Sequence, residues 1–288
     1  MIAGTRGSRL AMAQTDIFVK MMAAYSITPE IRTIRTAGDT DQITDLKDMG
    51  GYGAFVRELD NSLLAGEIDV SVNSMKDVPV LGGPEITIGA VLKRASCEDA
   101  VIPMPIDELP QGAVVGSSSV RRTAILRSMR PDLDIKGLRG NIDTRLEKLD
   151  AGGFDAVILA KAGLERLGIE RGSYVLDPNI FVPAPGQGAI AVACRSSDRD
   201  TAELLKKVDD AGTRLETETE RSIMRVMGGI CSSPIGINAK KVGNGLRINA
   251  VSFDGAEIRR YSSLLPADHT VSDLRNIAAA LGGGHDGR

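Results

Sequence analysis

Apolar segments of strand length alternate with amphipathic segments of helix length over about two hundred residues of this chain, a pattern typical of α/β proteins with mainly parallel sheets. Residues 55–64 place their apolar side chains on one helical face. Residues 68–72 then alternate apolar and polar side chains with the period of a strand, and Pro79 prevents the strand from continuing. The pattern predicts a helix and then a strand, with Lys76 and Asp77 just beyond the strand's carboxyl end.

The same order of strand, polar break and helix recurs further along the chain. Strands are predicted over 113–116, 135–138 and 154–160, and helices over 120–128, from the candidate N-cap Asn141 through Leu149, and over 162–168. Open α/β sheets bind their ligands outside the carboxyl ends of the strands. The residues at these breaks are therefore the candidates for a functional site.

Two irregular segments, residues 93–98 and the Pro- and Gly-rich residues 183–188, are predicted to be crossings between lobes. They divide the chain into a first domain of residues 1–92 and 189–207 and an inserted second domain of residues 98–183. A third domain is predicted over 212–288. The fold class expected is α/β, with two lobes around a central cleft and a small α/β C-terminal domain.

Composition narrows the class of ligand. Thirty-five Lys and Arg against 38 Asp and Glu give a net charge of -3, and the chain has no Trp, five Phe and four Tyr. A global positive field and stacking platforms for nucleic acid are thus missing. No segment approaches the roughly 20 apolar residues of a membrane span, and three cysteines with two histidines make a zinc site hard to assemble. We expect a cytoplasmic, reduced and metal-free protein that binds neither nucleic acid nor membrane.

Cations collect at or near the predicted strand-to-helix breaks. They are Arg6, Lys76, Arg121, Arg122, Arg139 and Arg145, accompanied by Ser8, Ser117, Ser118 and Ser119. Guanidinium groups bind carboxylates through two parallel hydrogen bonds, and helix N-termini add further donors. A ligand with several carboxylates or phosphates is implied, although any single arginine could instead be a surface residue that pairs with a neighbouring acid.

Asp77 and Cys231 each have two interpretations. Asp77 is either the ion-pair partner of Lys76 or a carboxylate that stabilises positive charge developing on a substrate. Cys231 follows a helix predicted over 218–227 and lies in a loop where its sulfur is reachable, whereas Cys194 lies in an apolar strand and is expected to be buried.

Short segments along most of the chain together resemble the porphobilinogen deaminase family. They are Gly4 to Ser8 with Gln14, Phe55 to Leu59, Ser74 to Pro79, Gly116 to Arg122, Arg130 to Leu133, Leu138 to Leu146, Ala162 to Gly168, Pro185 to Gly188 and Gly229 to Gly236. Each is weak alone, but their order and spacing are specific. Beyond Gly236 little is recognisable.

The resemblance implies two lobes like those of type II periplasmic binding proteins and a third domain that carries a cofactor cysteine. It implies a monomeric transferase that links four porphobilinogen molecules head to tail with loss of ammonia and releases hydroxymethylbilane, in tetrapyrrole (heme) biosynthesis. The primer is a dipyrromethane bound to Cys231 by a thioether, and Asp77 is the catalytic carboxylate. The cofactor-binding positions are Lys76, Ser119, Arg121, Arg122, Arg139 and Arg145, and the substrate-binding positions are Arg6, Ser8, Arg139, Arg145, Arg166 and Gln187.

Three positions depart from the family's usual residues: Tyr52, Asn73 and Ile230, where lysine, histidine and glycine are common. None of them replaces Asp77 or Cys231. Two other functions fit the cationic cleft. A non-catalytic binding or sensing protein of the same architecture would need neither Cys231 nor a third domain. An enzyme acting on phosphorylated metabolites would carry no covalent adduct.

Overall fold

The computed structural model describes residues 1–36, 56–228, 234–255 and 257–283. Its strands are β1 (Ile2–Arg6), β2 (Glu30–Ile34), β3 (Val70–Ser74), β4 (Ile86–Leu92), β5 (Asp99–Ile102), β6 (Val114–Gly116), β7 (Asp134–Lys136), β8 (Ala156–Ala160), β9 (Tyr174–Val175), β10 (Ile190–Arg195), β11 (Ile235–Val242), β12 (Gly245–Asp254) and β13 (Glu257–Pro266). They form two five-stranded sheets, in the orders β2-β1-β3-β10-β4 and β7-β6-β8-β5-β9, and a three-stranded sheet β11-β12-β13.

The described helices pack against these sheets. They are α1 (Arg9–Ala23), α2 (Arg57–Leu64), α3 (Val120–Met129), α4 (Ile142–Asp150), α5 (Lys161–Arg166), α6 (Arg199–Leu205), α7 (Ala211–Val226) and α8 (Val271–Ala280). The predicted α/β fold is confirmed, and each strand and helix expected from the pattern is present within a few residues, except that α7 begins seven residues earlier than the expected Glu218. Its N-terminus is fixed by Asp210, whose carboxylate accepts a hydrogen bond from the Thr213 amide.

The expectation of mainly parallel sheets is wrong. Among the described strands of the two larger sheets, four of the eight pairings are antiparallel. All four involve β5 or β10, which are the strands that carry the chain into a sheet from the other lobe. The alternation of apolar and polar residues gives a strand's faces but not its direction, so the sequence pattern could not reveal this.

The chain leaves the first sheet after β4 and enters the second at β5, and it returns between β9 and β10. The two crossings touch: the Ala95 amide donates to the Gly188 carbonyl at 3.1 Å. Gly188 has a φ of +87°, and a Cβ there would lie 2.6 Å from the Ser96 carbonyl oxygen, so the contact requires glycine. The predicted crossing segments, residues 93–98 and 183–188, lie between β4 and β5 and between β9 and β10, and the domain division stays a prediction.

The third sheet packs α7 and α8 over a core that includes Ile223, Ile237, Ile248 and Ile277, all with no exposed surface. α7 also reaches the first lobe, because its residues contact β4. It is therefore the element through which the third domain meets the cleft. None of the helices in the described ranges is both long enough and apolar enough to cross a membrane.

Candidate active site

A cavity of about 740 Å³ opens between the carboxyl ends of strands from the two larger sheets. Every candidate cleft residue that lies in the described ranges lines it: Arg6, Ser8, Lys76, Asp77, Ser119, Arg121, Arg122, Arg139, Arg145, Arg166 and Gln187. The fold thus brings together side chains separated by up to 181 positions in the sequence. Cys231 lies outside the described residues, as do Tyr52 and Ile230.

Three helix N-termini face this cavity. Ser8 caps α1 by accepting from the Ala11 amide, Ser119 caps α3 by accepting from the Arg122 amide, and Asn141 caps α4 by accepting from the Thr144 amide. Each capping side chain lines the cavity. The partial positive charge at the start of a helix favours anions, so the backbone itself contributes to an anionic site.

Asp77 ends a short 3₁₀ helix, Met75–Asp77, that directly follows β3. Gln14 of α1 supports the start of this turn, because its amide nitrogen donates to the Ser74 hydroxyl at 2.8 Å. The Lys76 ammonium lies 3.4 Å from the amide oxygen of Gln187. No ion pair joins Lys76 to Asp77 in the part of the chain that the structure describes, so Asp77 is not simply the salt-bridge partner of its neighbour.

Arg121 and Arg122 point to a buried carboxylate that the sequence analysis did not identify. Asp99, at the start of β5, has no exposed surface and accepts from Arg121 Nη2 at 2.8 Å and from Arg122 Nη2 at 2.6 Å. Burial by itself would raise the pKa of Asp99, but the two guanidinium groups outweigh it and hold that pKa well below its usual range. Gln187 donates to the same carboxylate at 2.9 Å.

This cluster changes the expected role of the two arginines. Arg122 also donates to the Ile158 carbonyl and Arg121 to the Val182 carbonyl, so both guanidinium groups are held inside the protein. Each terminal nitrogen carries a second N–H, and both residues line the cavity. Binding of a ligand carboxylate by this pair therefore stays a prediction, while binding of Asp99 is what the structure shows.

Lys76, Arg145 and Arg166 are different, because none of them forms an ion pair within the described ranges. Burial lowers the pKa of Arg145 to about 10, and Arg122 nearby adds to the effect. Burial also lowers the pKa of Arg166 to about 10. Burial lowers the pKa of Lys76 to about 8, although Asp77 opposes that change. Burial thus disfavours these three positive charges, and anionic groups in the cavity would stabilise them.

The sequence analysis also missed an ion pair at the first crossing. Arg94 donates to both carboxylate oxygens of Glu220, at 2.8 and 3.1 Å, and Glu220 has no exposed surface. Burial raises the pKa of Glu220, and Arg94 opposes that rise. Glu220 also accepts from the amides of Gly186 and Ala239, so α7 is joined to both crossings and to β11. The only indication of this ion pair in the sequence was a charged residue, Arg94, within the predicted crossing 93–98.

Two further expectations concern single residues. Cys194 is fully buried, as predicted. Asn73 is 6% exposed and donates to the Ser71 hydroxyl at 3.2 Å, so its difference from the family's histidine is accommodated inside β3. Across the described ranges, no group of three or more His, Cys, Asp or Glu side chains is placed to hold a metal ion.

A cavity between two α/β lobes, lined by cations, helix N-termini and one carboxylate on a turn, defines a protein that acts on a small polyanionic molecule. Residues 1–203 match the model of a protein family described as "Porphobilinogen deaminase, dipyromethane cofactor binding domain". The chain belongs to the porphobilinogen deaminase family. Members of this family are transferases of tetrapyrrole biosynthesis, hydroxymethylbilane synthases that use a dipyrromethane cofactor and take porphobilinogen as their substrate.

Relatives match along most of their length. A probable porphobilinogen deaminase of Methanosarcina acetivorans is 43% identical over 98% of this chain and 91% of its own. The porphobilinogen deaminase of Acidothermus cellulolyticus is 42% identical over 96% of this chain and 87% of its own. Among solved structures, substrate binding domain 2 of Lactococcus lactis GlnP, in an open conformation, covers 79% of this chain and 89% of its own at 10% identity and a TM-score of 0.44.

Proposed function

We propose that the cavity is the site of porphobilinogen condensation, that Asp77 is its catalytic carboxylate, and that Cys231 carries the dipyrromethane. The observation that carries the proposal is that one cavity is lined by Asp77, by three cations whose charge burial disfavours, Lys76, Arg145 and Arg166, and by the residues that cap three helix N-termini. Two carboxylates on every pyrrole unit make substrate and cofactor polyanions. The donor set of the cavity suits such groups.

The dipyrromethane would be held through its carboxylates by Lys76, Arg145 and Arg166, with Ser8 and Ser119 at the helix starts. Burial disfavours the positive charges of these side chains. Carboxylates bound beside them would stabilise the charges, and the charges would in turn bind the carboxylates. When bound, the cofactor supplies a pyrrole carbon that reacts with the incoming substrate. Arg6 and Arg139 also line the cavity and are proposed to bind substrate.

Asp77 is proposed to stabilise positive charge on the pyrrole nitrogen of the substrate as ammonia leaves. Its carboxylate lies close enough to Lys76 and Arg145 to act on the charges of both. Arg6 and Arg139 would bind the substrate's acidic side chains, and Asp77 would be left to face the ring that becomes positive. The turn after β3 presents it to the cavity without regular hydrogen bonding to a neighbouring strand.

Cys231 is proposed as the attachment site on its place in the chain. α7 ends at Val226, and its residues Arg221 and Met224 line the cavity together with Ile235 of β11. The cysteine is located between these two lining elements in the sequence. A thioether at Cys231 needs only a thiolate and an electrophilic pyrrole, so a neighbouring base is not required.

The mass of the intact protein tests this assignment. Two linked pyrroles should add a few hundred daltons to the purified enzyme, and Cys231→Ser should abolish both the added mass and turnover. Cys97→Ser is the matched control, because Cys97 is partly buried at the first crossing and should keep the adduct. A fully active wild-type enzyme without added mass would refute the assignment, as would an adduct that persists in Cys231→Ser.

The proposal extends to a monomeric enzyme of the cytoplasm that binds neither nucleic acid nor membrane. The unpaired thiols of Cys97 and Cys194, the net charge of -3 and the small number of aromatic residues support it. Light scattering after size-exclusion chromatography should give a mass near 30.5 kDa, and cell fractionation should place the enzyme with soluble proteins. A stable dimer or a membrane-bound fraction would contradict this part.

A further inference from the structure

Arg221 of α7 holds the backbone on either side of the catalytic turn, the 3₁₀ helix Met75–Asp77. Its side chain is 7% exposed. Nη1 donates to the Val78 carbonyl at 2.8 Å and lies 3.5 Å from the Met75 carbonyl, and Nη2 donates to the Pro79 carbonyl at 2.7 Å. The three acceptors flank Asp77 on both sides in the sequence. A single guanidinium group therefore contacts the segment that carries Asp77 on both sides of that residue.

The residue next to Arg221 holds the opposite side of the same turn. Glu220 accepts from the Gly186 amide at 2.6 Å. Gly186 packs directly on the turn, because a Cβ there would lie 2.7 Å from Cγ of Met75 and 3.3 Å from the amide nitrogen of Lys76. Residues 220 and 221 thus place the catalytic turn and the second crossing relative to one helix of the third domain.

We propose that Arg221 is a positioning residue that sets the placement of Asp77 relative to the third domain. α7 ends at Val226, five residues before Cys231, so the helix that holds the catalytic turn is also the one that leads to the proposed cofactor attachment site. Reaction at a fixed cofactor requires the carboxylate to keep its distance from the reacting ring. The inference rests on the catalytic role proposed for Asp77.

Arg221→Gln and Arg221→Lys test the inference in the holoenzyme. Glutamine removes the charge and the planar group, and we expect kcat to fall by about 10 to 100-fold because small displacements of a reacting group are costly. KM should stay nearly constant, since the carboxylate-binding residues are elsewhere. Lysine can reach one carbonyl but cannot form the three-way contact, so it should restore only part of kcat.

Arg225→Gln is the matched control. Arg225 lies one turn further along the same face of α7 and is exposed; it donates to the Ser222 hydroxyl at 3.4 Å and to the Val80 carbonyl at 3.5 Å, and to no carbonyl of residues 75–79. Its replacement should leave kcat unchanged. Intact mass should show the cofactor present in all three variants, and thermal unfolding should show them folded at the assay temperature. If Arg221→Lys is folded and primed and has the kcat of the wild type, the inference is wrong.

A double-mutant cycle separates positioning of Asp77 from a general structural effect. In an Asp77→Glu background, whose longer side chain already displaces the carboxylate, Arg221→Gln should lower the residual kcat by less than about twofold. If the decrease in kcat of the double variant equals the product of the decreases in the two single variants, Arg221 does not act through Asp77 and the inference is wrong. Wild-type turnover in Asp77→Ala would instead overturn the proposed role of Asp77, so the two failures are distinguishable.

Discussion

Asp99 and Arg122 form a buried ion pair in which Oδ1 of the aspartate accepts from both Nε, at 3.1 Å, and Nη2, at 2.6 Å, of the arginine. Arg121 binds the other carboxylate oxygen. Two positive charges beside the cleft are thereby balanced in part by one negative charge that belongs to the fold. Among the cleft cations proposed to bind ligand carboxylates, Lys76, Arg145 and Arg166 form no ion pair within the described ranges.

Removing this carboxylate should destabilise the fold. Asp99→Ala leaves two buried guanidinium groups without their counter-ion, and we expect a loss of roughly 3 to 5 kcal/mol in the free energy of unfolding. Urea denaturation measures it. Asp134→Ala is the control, because its ion pair with Lys136 is exposed on both sides and should contribute less than about 1 kcal/mol. Equal losses in the two variants would contradict the structural role of Asp99.

Asp77→Ala should keep the fold and lose nearly all turnover. The lost stabilisation of charge on the pyrrole nitrogen is typically worth ~3 kcal/mol or more, which corresponds to a decrease in kcat of at least about 100-fold. Steady-state kinetics and circular dichroism measure both quantities. Asp16→Ala, on the exposed face of α1, should behave as the wild type. Turnover near the wild-type rate in Asp77→Ala would remove Asp77 from the mechanism.

Arg145→Gln and Arg166→Gln should weaken substrate use without unfolding the protein. Each removes a partly buried cation whose charge burial disfavours, together with one hydrogen bond to a backbone carbonyl, of Gly140 or Gly188, so the free enzyme should lose no more than about 1 kcal/mol of stability. A charged hydrogen bond contributes about 1.5 to 3 kcal/mol, so kcat/KM should fall by about 10 to 100-fold. Arg127→Gln, an exposed residue of α3, is the control. Unchanged kcat/KM in both variants would show that the substrate's carboxylates bind elsewhere.

The pH dependence of kcat/KM should reflect Lys76. Burial lowers the pKa of this amine to about 8, so the free enzyme loses the Lys76 charge as the pH rises through that value. Carboxylates then bind more weakly, and kcat/KM should decrease on the alkaline side. Lys76→Arg retains its charge and should shift this decrease to higher pH. An identical alkaline limb in the variant would assign the titration to another group.

Much of the fold could be predicted because the signals were local. The N-cap Asn141 was recognisable from its place before an amphipathic segment, and it accepts the expected hydrogen bond from the Thr144 amide. The strand that ends before Lys76 and Asp77 was visible as a period of two. The family resemblance then supplied residues that line one cavity. Strand direction was not accessible, because β5 and β10 look like any buried strand.

The less predictable part of the site depends on contacts between distant segments. The sequence indicated Arg121 and Arg122 as residues that bind carboxylates, but nothing in it indicated that Asp99, 22 and 23 residues earlier, would bind both of them. Arg221 was invisible for the same reason, since its acceptors lie more than 140 positions away and are backbone carbonyls that every residue possesses.

The sequence alone therefore determined which residues could bind anions, where helices begin and strands end, and which family the chain resembles, because capping and hydrophobic periodicity act over a few residues. Tertiary structure decided which of those cations remain for a ligand and which are balanced by the protein itself. That division depends on burial and on charges that meet only after the lobes have packed, and both are properties of the folded chain.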